Sequence, residues 1–196
     1  MNSKEKKQSS GSFFKTFILT VGVVLLFVNF IAHPVRVVGS SMYPTLEDGD
    51  YGFTNIIGIK ISKPKRNDVV IVTMQEEDGT ESQWIKRIIG MPNDTVECIR
   101  DEIYVNNKKI DESEYIDEEY KKEMKEKYGY FNQYSVNHRI SDWGPIQLAD
   151  DEYFVMGDNR PCSSDSRNPN VGPVKKNQIY GKSMLVLFPI SKMGWN

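Results

Sequence analysis

From Thr16 to Ala32 the chain reads TFILTVGVVLLFVNFIA, 17 residues without a charge. As a helix this run spans about 25 Å, the short end of a membrane crossing. Phe13 and Phe14 extend it past Lys15, while Thr16, Thr20, Gly22 and Asn29 dilute it. A cleaved secretory signal would need a small-residue exit, and the chain offers Asn29-Phe30-Ile31-Ala32-His33-Pro34 instead. The run therefore reads as a transmembrane anchor over 13–32. Lys4, Lys6, Lys7 and Lys15 come before its apolar part, which places a basic tail, 1–12, in the cytoplasm. The remaining 33–196 form a body on the outer face of the cell membrane.

That division is also one of charge. Of 25 Lys+Arg and 27 Asp+Glu, four lysines and Glu5 fall in the first 32 residues, leaving 21 basic against 26 acidic side chains. An acidic body argues against nucleic acid as a partner. At 27% charged and 39% hydrophobic, the bulk is a water-soluble globular protein. Cys98 and Cys162 cannot build a disulfide scaffold, though one bridge between them is open. There is no HExxH and no Cys/His cluster, so no metal or other cofactor is expected.

The body reads as short β-type runs: Val35–Val38, Asp68–Thr73, Gln83–Ile89, Asp94–Cys98, Glu102–Val105, Glu152–Met156 and Gln178–Phe188. Glycines and prolines punctuate them, which predicts a mostly β, antiparallel body of packed sheets or a partly open barrel. Gly49–Thr54 is a weaker strand candidate. Residues from about 111 to 143 are polar and tyrosine-rich, and read as an insertion projecting from the β core. Within it Ile116, Tyr120 and Met124 recur at i+4, the spacing of one short amphipathic helix.

Three clusters stand apart. Gly39-Ser40-Ser41-Met42-Tyr43-Pro44-Thr45-Leu46 opens like a flexible tether, yet a tether has no use for Met42, Pro44 and Leu46. In Gln83–Asp94, a strand would put Lys86 on one face with Trp84 and Ile88. Such a lysine either snorkels to water from an edge or loses its hydration, and burial would pull its pKa below about 10.4. Gly157–Arg167 packs two Asp, two Arg and three Ser into eleven residues, a hydrophilic turn or a network of bidentate Arg–carboxylate pairs.

Together these clusters resemble type I signal peptidases, membrane-bound serine proteases that remove signal peptides from exported proteins. SSMYPTL is similar to the family's nucleophile motif, with Ser41 in the catalytic place. WIKRIIGMPNDTV resembles the segment carrying the general base, here Lys86. GDNRPCSSDSR matches the family's G-D-N-R-x-x-S-x-D-S-R at every fixed position. The resemblance implies the signal-peptidase/LexA-like β fold and a Ser41/Lys86 dyad. It also implies an oxyanion site from the Ser41 N–H with Gly39 offering backbone only, and a Ser163 hydroxyl that orients Lys86. Asp158, Arg160, Asp165 and Arg167 would support the pair.

Val38, Met42, Leu46, Trp84 and Ile85 are expected to wall shallow pockets for small side chains. A substrate strand would lie between Pro34–Val38 and Gln83–Ile85, matching the family's Ala-x-Ala preference in preproteins. Membrane lipid is the other expected partner. A catalytic triad through His138 is set aside, since only Asp142 stands near it in sequence. A non-catalytic accessory factor for pilus or surface-protein assembly is the alternative; it predicts loss of the serine or the lysine, and both are present. A self-cleaving repressor would need a DNA-binding head in place of the apolar run.

Overall fold

The computed structural model describes residues 3–30, 32–76, 78–136 and 139–195. Helix α1 (Ser3–Phe30) takes in the lysine-rich head together with the uncharged run. No break falls at residue 12, because nothing before Pro34 stops a helix and the lone glycines cost only about 1 kcal/mol each. Phe13, Phe14, Phe17, Ile18 and Leu19 are exposed along it. Among the described residues no helix is long and apolar enough to cross a membrane.

The chain then enters β1 (Ala32–Arg36), where Pro34 is tolerated because the strand lies at a sheet edge. Next come β2 (Tyr51–Asn55), the short helix α2 (Ile56–Ile61), β3 (Val69–Gln75) and β4 (Glu81–Gly90). A smaller unit follows in β5 (Thr95–Ile99), β6 (Glu102–Val105) and β7 (Lys108–Lys109). Helix α3 (Glu118–Tyr128), the hairpin β8 (Tyr134–Val136) and β9 (Arg139–Ser141), and β10 (Trp143–Gln147) lead to β11 (Glu152–Met156). The chain closes with β12 (Val174–Lys175), β13 (Ile179–Phe188) and β14 (Gly194–Trp195).

The strands form an eight-stranded sheet in the order β1-β2-β13-β3-β4-β11-β12, with β14 on β13, and a four-stranded sheet in the order β10-β5-β6-β7. The pairings are antiparallel. The mostly β expectation is met, and β2 forms at the weaker strand candidate.

Alternation along β3 decides what lies on each side of the main sheet. Val70 and Val72 join Ile88, Tyr153, Val155 and Ile179 in one core, whereas Val69 packs with Val37, Met42, Leu46, Met184 and Val186. A third core joins the sheets through Ile89, Val96, Ile103, Leu148, Phe154 and Met156.

The 111–143 segment is no free projection. Asp117 caps α3 by accepting the Glu119 and Tyr120 amides, and Gly129 ends it at φ 82°. Ile116, Tyr120 and Met124 pack with Phe131, the last two from one face of α3 and Ile116 from just before its cap. The Tyr120 hydroxyl also donates to the Tyr43 carbonyl at 3.3 Å, so α3 braces the turn next to Ser41. Lys121, in the charged run, is buried and pairs with Glu102 at 3.2 Å. Both cysteines are free, Cys98 buried and Cys162 exposed. His138 lies outside the described residues.

Candidate active site

Strand pairing brings the three sequence clusters together. β3 and β4 pair with Val70 opposite Lys86, and β11 pairs with β4 so that Met156 lies opposite Arg87. The chain leaving β11 at Gly157 therefore passes beside the Lys86–Arg87 step. Gly157 has to be glycine: a Cβ there would stand 2.3 Å from both the Ser163 hydroxyl and the Ser41 carbonyl. The loop 157–167 and the turn 39–46 meet at that point.

Lys86 Nζ and Ser41 Oγ are hydrogen-bonded at 2.9 Å. Lys86 is 4% exposed, and its Nζ sits 5.4 Å from the centre of the Trp84 ring. Burial pulls the amine down from 10.5 to about 8; Asp165 and Asp158 oppose that shift at a distance, and Arg167 adds to it. A fraction of Lys86 is thus neutral near pH 7, and a neutral amine 2.9 Å from a hydroxyl can take its proton.

The four residues expected to support the pair are all buried, but their partners differ from a network closed within the loop. Arg167 grips Asp165 with two bonds of 2.8 Å. Burial opposes the Asp165 charge, yet Arg167 and the Gly157 amide hold its carboxyl below the usual carboxylate range. Asp158 pairs instead with Arg87, at 2.9 and 2.7 Å, and also accepts from the Thr45 hydroxyl. Arg160 reaches away to Glu112 and Asn132 in the inserted segment, and its Nε donates to the Gly157 carbonyl at 2.9 Å. Burial raises the Glu112 carboxyl, but the Arg160 charge and bonds outweigh it and hold it low.

Three expectations need correcting. The Ser163 hydroxyl is not hydrogen-bonded to Lys86 among the described residues: it donates to the Ser164 carbonyl at 3.4 Å. The Gly39 amide, considered for an oxyanion, is taken by the Asp48 carboxylate at 2.8 Å. Leu46 is fully buried in the core with Val37 and Met184, and walls no pocket. The Ser41 N–H, by contrast, has no acceptor among the described residues.

A groove of about 480 Å³ runs past Ser41 and Lys86. Pro34–Val38 forms one bank and Gln83–Ile85 the other, with Met42, Ile71 and Cys162 also in its lining. Val38, Met42, Trp84 and Ile85 therefore lie where a pocket was expected.

Sequence reasoning missed Arg87, Thr45, Asn159, Glu112 and Asn132. The first three stand inside the quoted motifs and were within reach. Glu112 and Asn132 carry no local signal, because their role is set only by where Arg160 ends.

Residues 10–188 match the family model described as signal peptidase, peptidase S26. Signal peptidase I S of Bacillus subtilis (strain 168) is 38% identical over 188 residues, covering 96% of this chain and 94% of that protein. A signal peptidase I of Bacillus amyloliquefaciens is 40% identical over 195 residues, covering 98% and 94%. The solved signal peptidase I of Enterococcus faecalis V583 overlays with a TM-score of 0.42 at 26% identity, covering 62% of this chain and 97% of that one. The assignment rests on the sequence matches: the chain belongs to the S26 signal peptidase family and is a type I signal peptidase, a hydrolase of signal-peptide processing.

Proposed function

We propose that Ser41 is the nucleophile and Lys86 the general base with which this chain cuts signal peptides from exported preproteins. The observation that supports this most is the 2.9 Å contact between a buried lysine, lowered to about 8, and a serine at the floor of a groove. Neutral Lys86 takes the Ser41 proton as Oγ adds to the scissile carbonyl, whose oxygen gains the charge and is met by the Ser41 N–H. The lysinium then protonates the leaving amine. A water that gives its proton to Lys86 releases the acyl group and restores Ser41.

The substrate lies extended between the banks formed by β1 and β4, adding main-chain hydrogen bonds to their edges. Val38, Met42, Trp84 and Ile85 accept only small side chains, as an Ala-x-Ala sequence supplies. Residues 13–32 anchor the chain in the cell membrane with its lysine-rich end in the cytoplasm and residues 33–196 outside. Lipid is then the second partner, and confinement to one surface raises the effective concentration of preprotein.

The test is cleavage of purified preproteins with the new N-terminus mapped. The parent chain cuts after the signal peptide, Ser41→Ala does not, and a chain beginning at residue 33 still cuts in detergent. Equal cutting by Ser41→Ala would refute the dyad. A folded but inert 33–196 chain would refute the separation of anchor and body.

A further inference from the structure

The turn that carries Ser41 is held from behind by Asn159. This residue is 7% exposed. Its backbone N–H donates to the Ser41 carbonyl at 3.0 Å, and its side-chain Nδ2 donates to the Ser40 carbonyl at 3.0 Å. Its Oδ1 is buried without a partner among the described residues. An orphaned buried acceptor costs stability, so this side chain is held for its donor end.

The Ser40 carbonyl and the Ser41 N–H belong to one peptide plane, and in a trans peptide they point in opposite directions. A donor fixed on the Ser40 oxygen therefore turns the Ser41 N–H away from Asn159, toward the groove that Ser40 and Ser41 line. The Tyr43 N–H also reaches the Ser40 oxygen, at 3.1 Å, but that bond is internal to the turn and moves with it. Asn159 ties the plane to the end of β11, which pairs with the strand bearing Lys86. The Gly39 amide, spent on Asp48, gives no second fixed donor from the preceding residue.

We propose that Asn159 is a positioning residue for the oxyanion: it sets the Ser40–Ser41 peptide so that the Ser41 N–H faces the carbonyl oxygen as charge develops there. This rests on the reading of Ser41 as the nucleophile. Asn159 touches no substrate. It acts through one peptide plane, and it matters more in the transition state than in the ground state.

The test uses the full-length chain in detergent with a signal-peptide substrate. A peptide boronic acid serves as the tetrahedral probe, and a product-like peptide of the same side chains as the non-covalent one. Asn159→Asp keeps the shape but sets an acceptor against the Ser40 oxygen; Asn159→Ala removes the bond. We expect kcat to fall about 100-fold for Asn159→Asp and about 10-fold for Asn159→Ala, on the scale of a weakened oxyanion donor. KM should stay within about threefold, because binding outside the oxyanion site is untouched. Boronate affinity should weaken in step with kcat/KM while product-peptide affinity is unchanged, and in the uncharged Asn159→Ala variant the apparent pKa of the rate profile should also be unchanged.

A merely structural role would weaken both ligands alike, and that result would overturn the proposal, as would parental kcat in both variants. If Asn159→Asp does not fold, the boronate-to-product affinity ratio of Asn159→Ala decides alone. Ser41→Ala is assayed alongside. Turnover by Ser41→Ala refutes the nucleophile reading, whereas an inert Ser41→Ala beside fully active Asn159 variants refutes only the positioning role.

Discussion

Lys86 and Arg87 are neighbours in sequence and lie on opposite faces of β4. Both are buried. On its face Arg87 holds Asp158 with two bonds, donates to the Asn67 carbonyl at 2.8 Å and stacks 4.1 Å from the Tyr115 ring. On the other face Lys86 is hydrogen-bonded to a hydroxyl and sits over an indole, and among the described residues no carboxylate lies within ion-pair distance of it. The contrast separates burial from pairing. A contact carboxylate compensates the cost of burying a cation, whereas a buried amine without one is pushed toward neutrality. One strand thus holds an ion-paired guanidinium and an amine pulled down by burial one residue apart.

The largest way to break this comparison is to make the two faces chemically alike. Lys86→Arg keeps a cation beside Ser41 but removes the ability to lose a proton near neutral pH. Turnover should fall by about 10³-fold or more, within the range that general-base loss produces. In the parent, the rate should rise with pH and level off above a midpoint near 8, since the proposed mechanism uses the neutral amine. Measuring kcat/KM from pH 6 to 10 for both proteins checks this. An Arg variant within tenfold of the parent would show that Lys86 acts by charge alone.

The next effect comes from the other face. Asp158→Asn leaves the Arg87 guanidinium buried without its carboxylate, a change that costs about 3–5 kcal/mol when a buried pair is broken on one side. Urea unfolding in a Ser41→Ala background measures that loss. Replacing both partners, as Arg87→Met with Asp158→Leu, should recover much of it, since the apolar pair leaves no orphaned charge. Near-parental stability in Asp158→Asn alone would mean the face tolerates a free guanidinium, and the distinction between the faces would fail.

How much of this was legible follows from how local each signal is. Strands β3, β4, β11 and β13 announce themselves by β-branched runs, and their observed ends fall within two residues of expectation. Lys86 was marked by its place between Trp84 and Ile88, since an ammonium on an apolar face is anomalous in any strand. The destination of Arg160 was not legible: Glu112 and Asn132 lie 48 and 28 positions away, in a segment whose composition reads as solvated. The charged run there misled for the same reason. Its Ile116–Tyr120–Met124 spacing predicted the helix, but nothing local says that Tyr120 reaches Tyr43 near Ser41. Ser163 misled in the opposite way. The motif implied a bond to Lys86, but the hydroxyl donates to the Ser164 carbonyl, a choice of rotamer that sequence does not encode.

The smallest effect sharpens the comparison through stability. Lys86→Met retains the unbranched stem and removes the amine. In the unfolded chain this lysine holds its proton up to about 10.5, and in the folded chain only up to about 8. Below pH 8 both states carry the proton, and the folded state bears the full penalty of a buried ammonium. Between 8 and 10.5 the unfolded state binds more protons, so parental stability rises with pH. Above that range neither state is charged and the penalty is gone. Lys86→Met should therefore be more stable than the parent by up to about 3 kcal/mol at pH 7, with the advantage vanishing near pH 10.5. Urea midpoints at the two pH values, taken as a difference between the proteins, cancel titrations common to both. The corresponding Arg87→Met change, which orphans Asp158, should destabilise at pH 7. A gain in stability from both substitutions would mean that pairing does nothing for Arg87, and a pH-independent gain for Lys86→Met would mean that its amine is not held near neutrality.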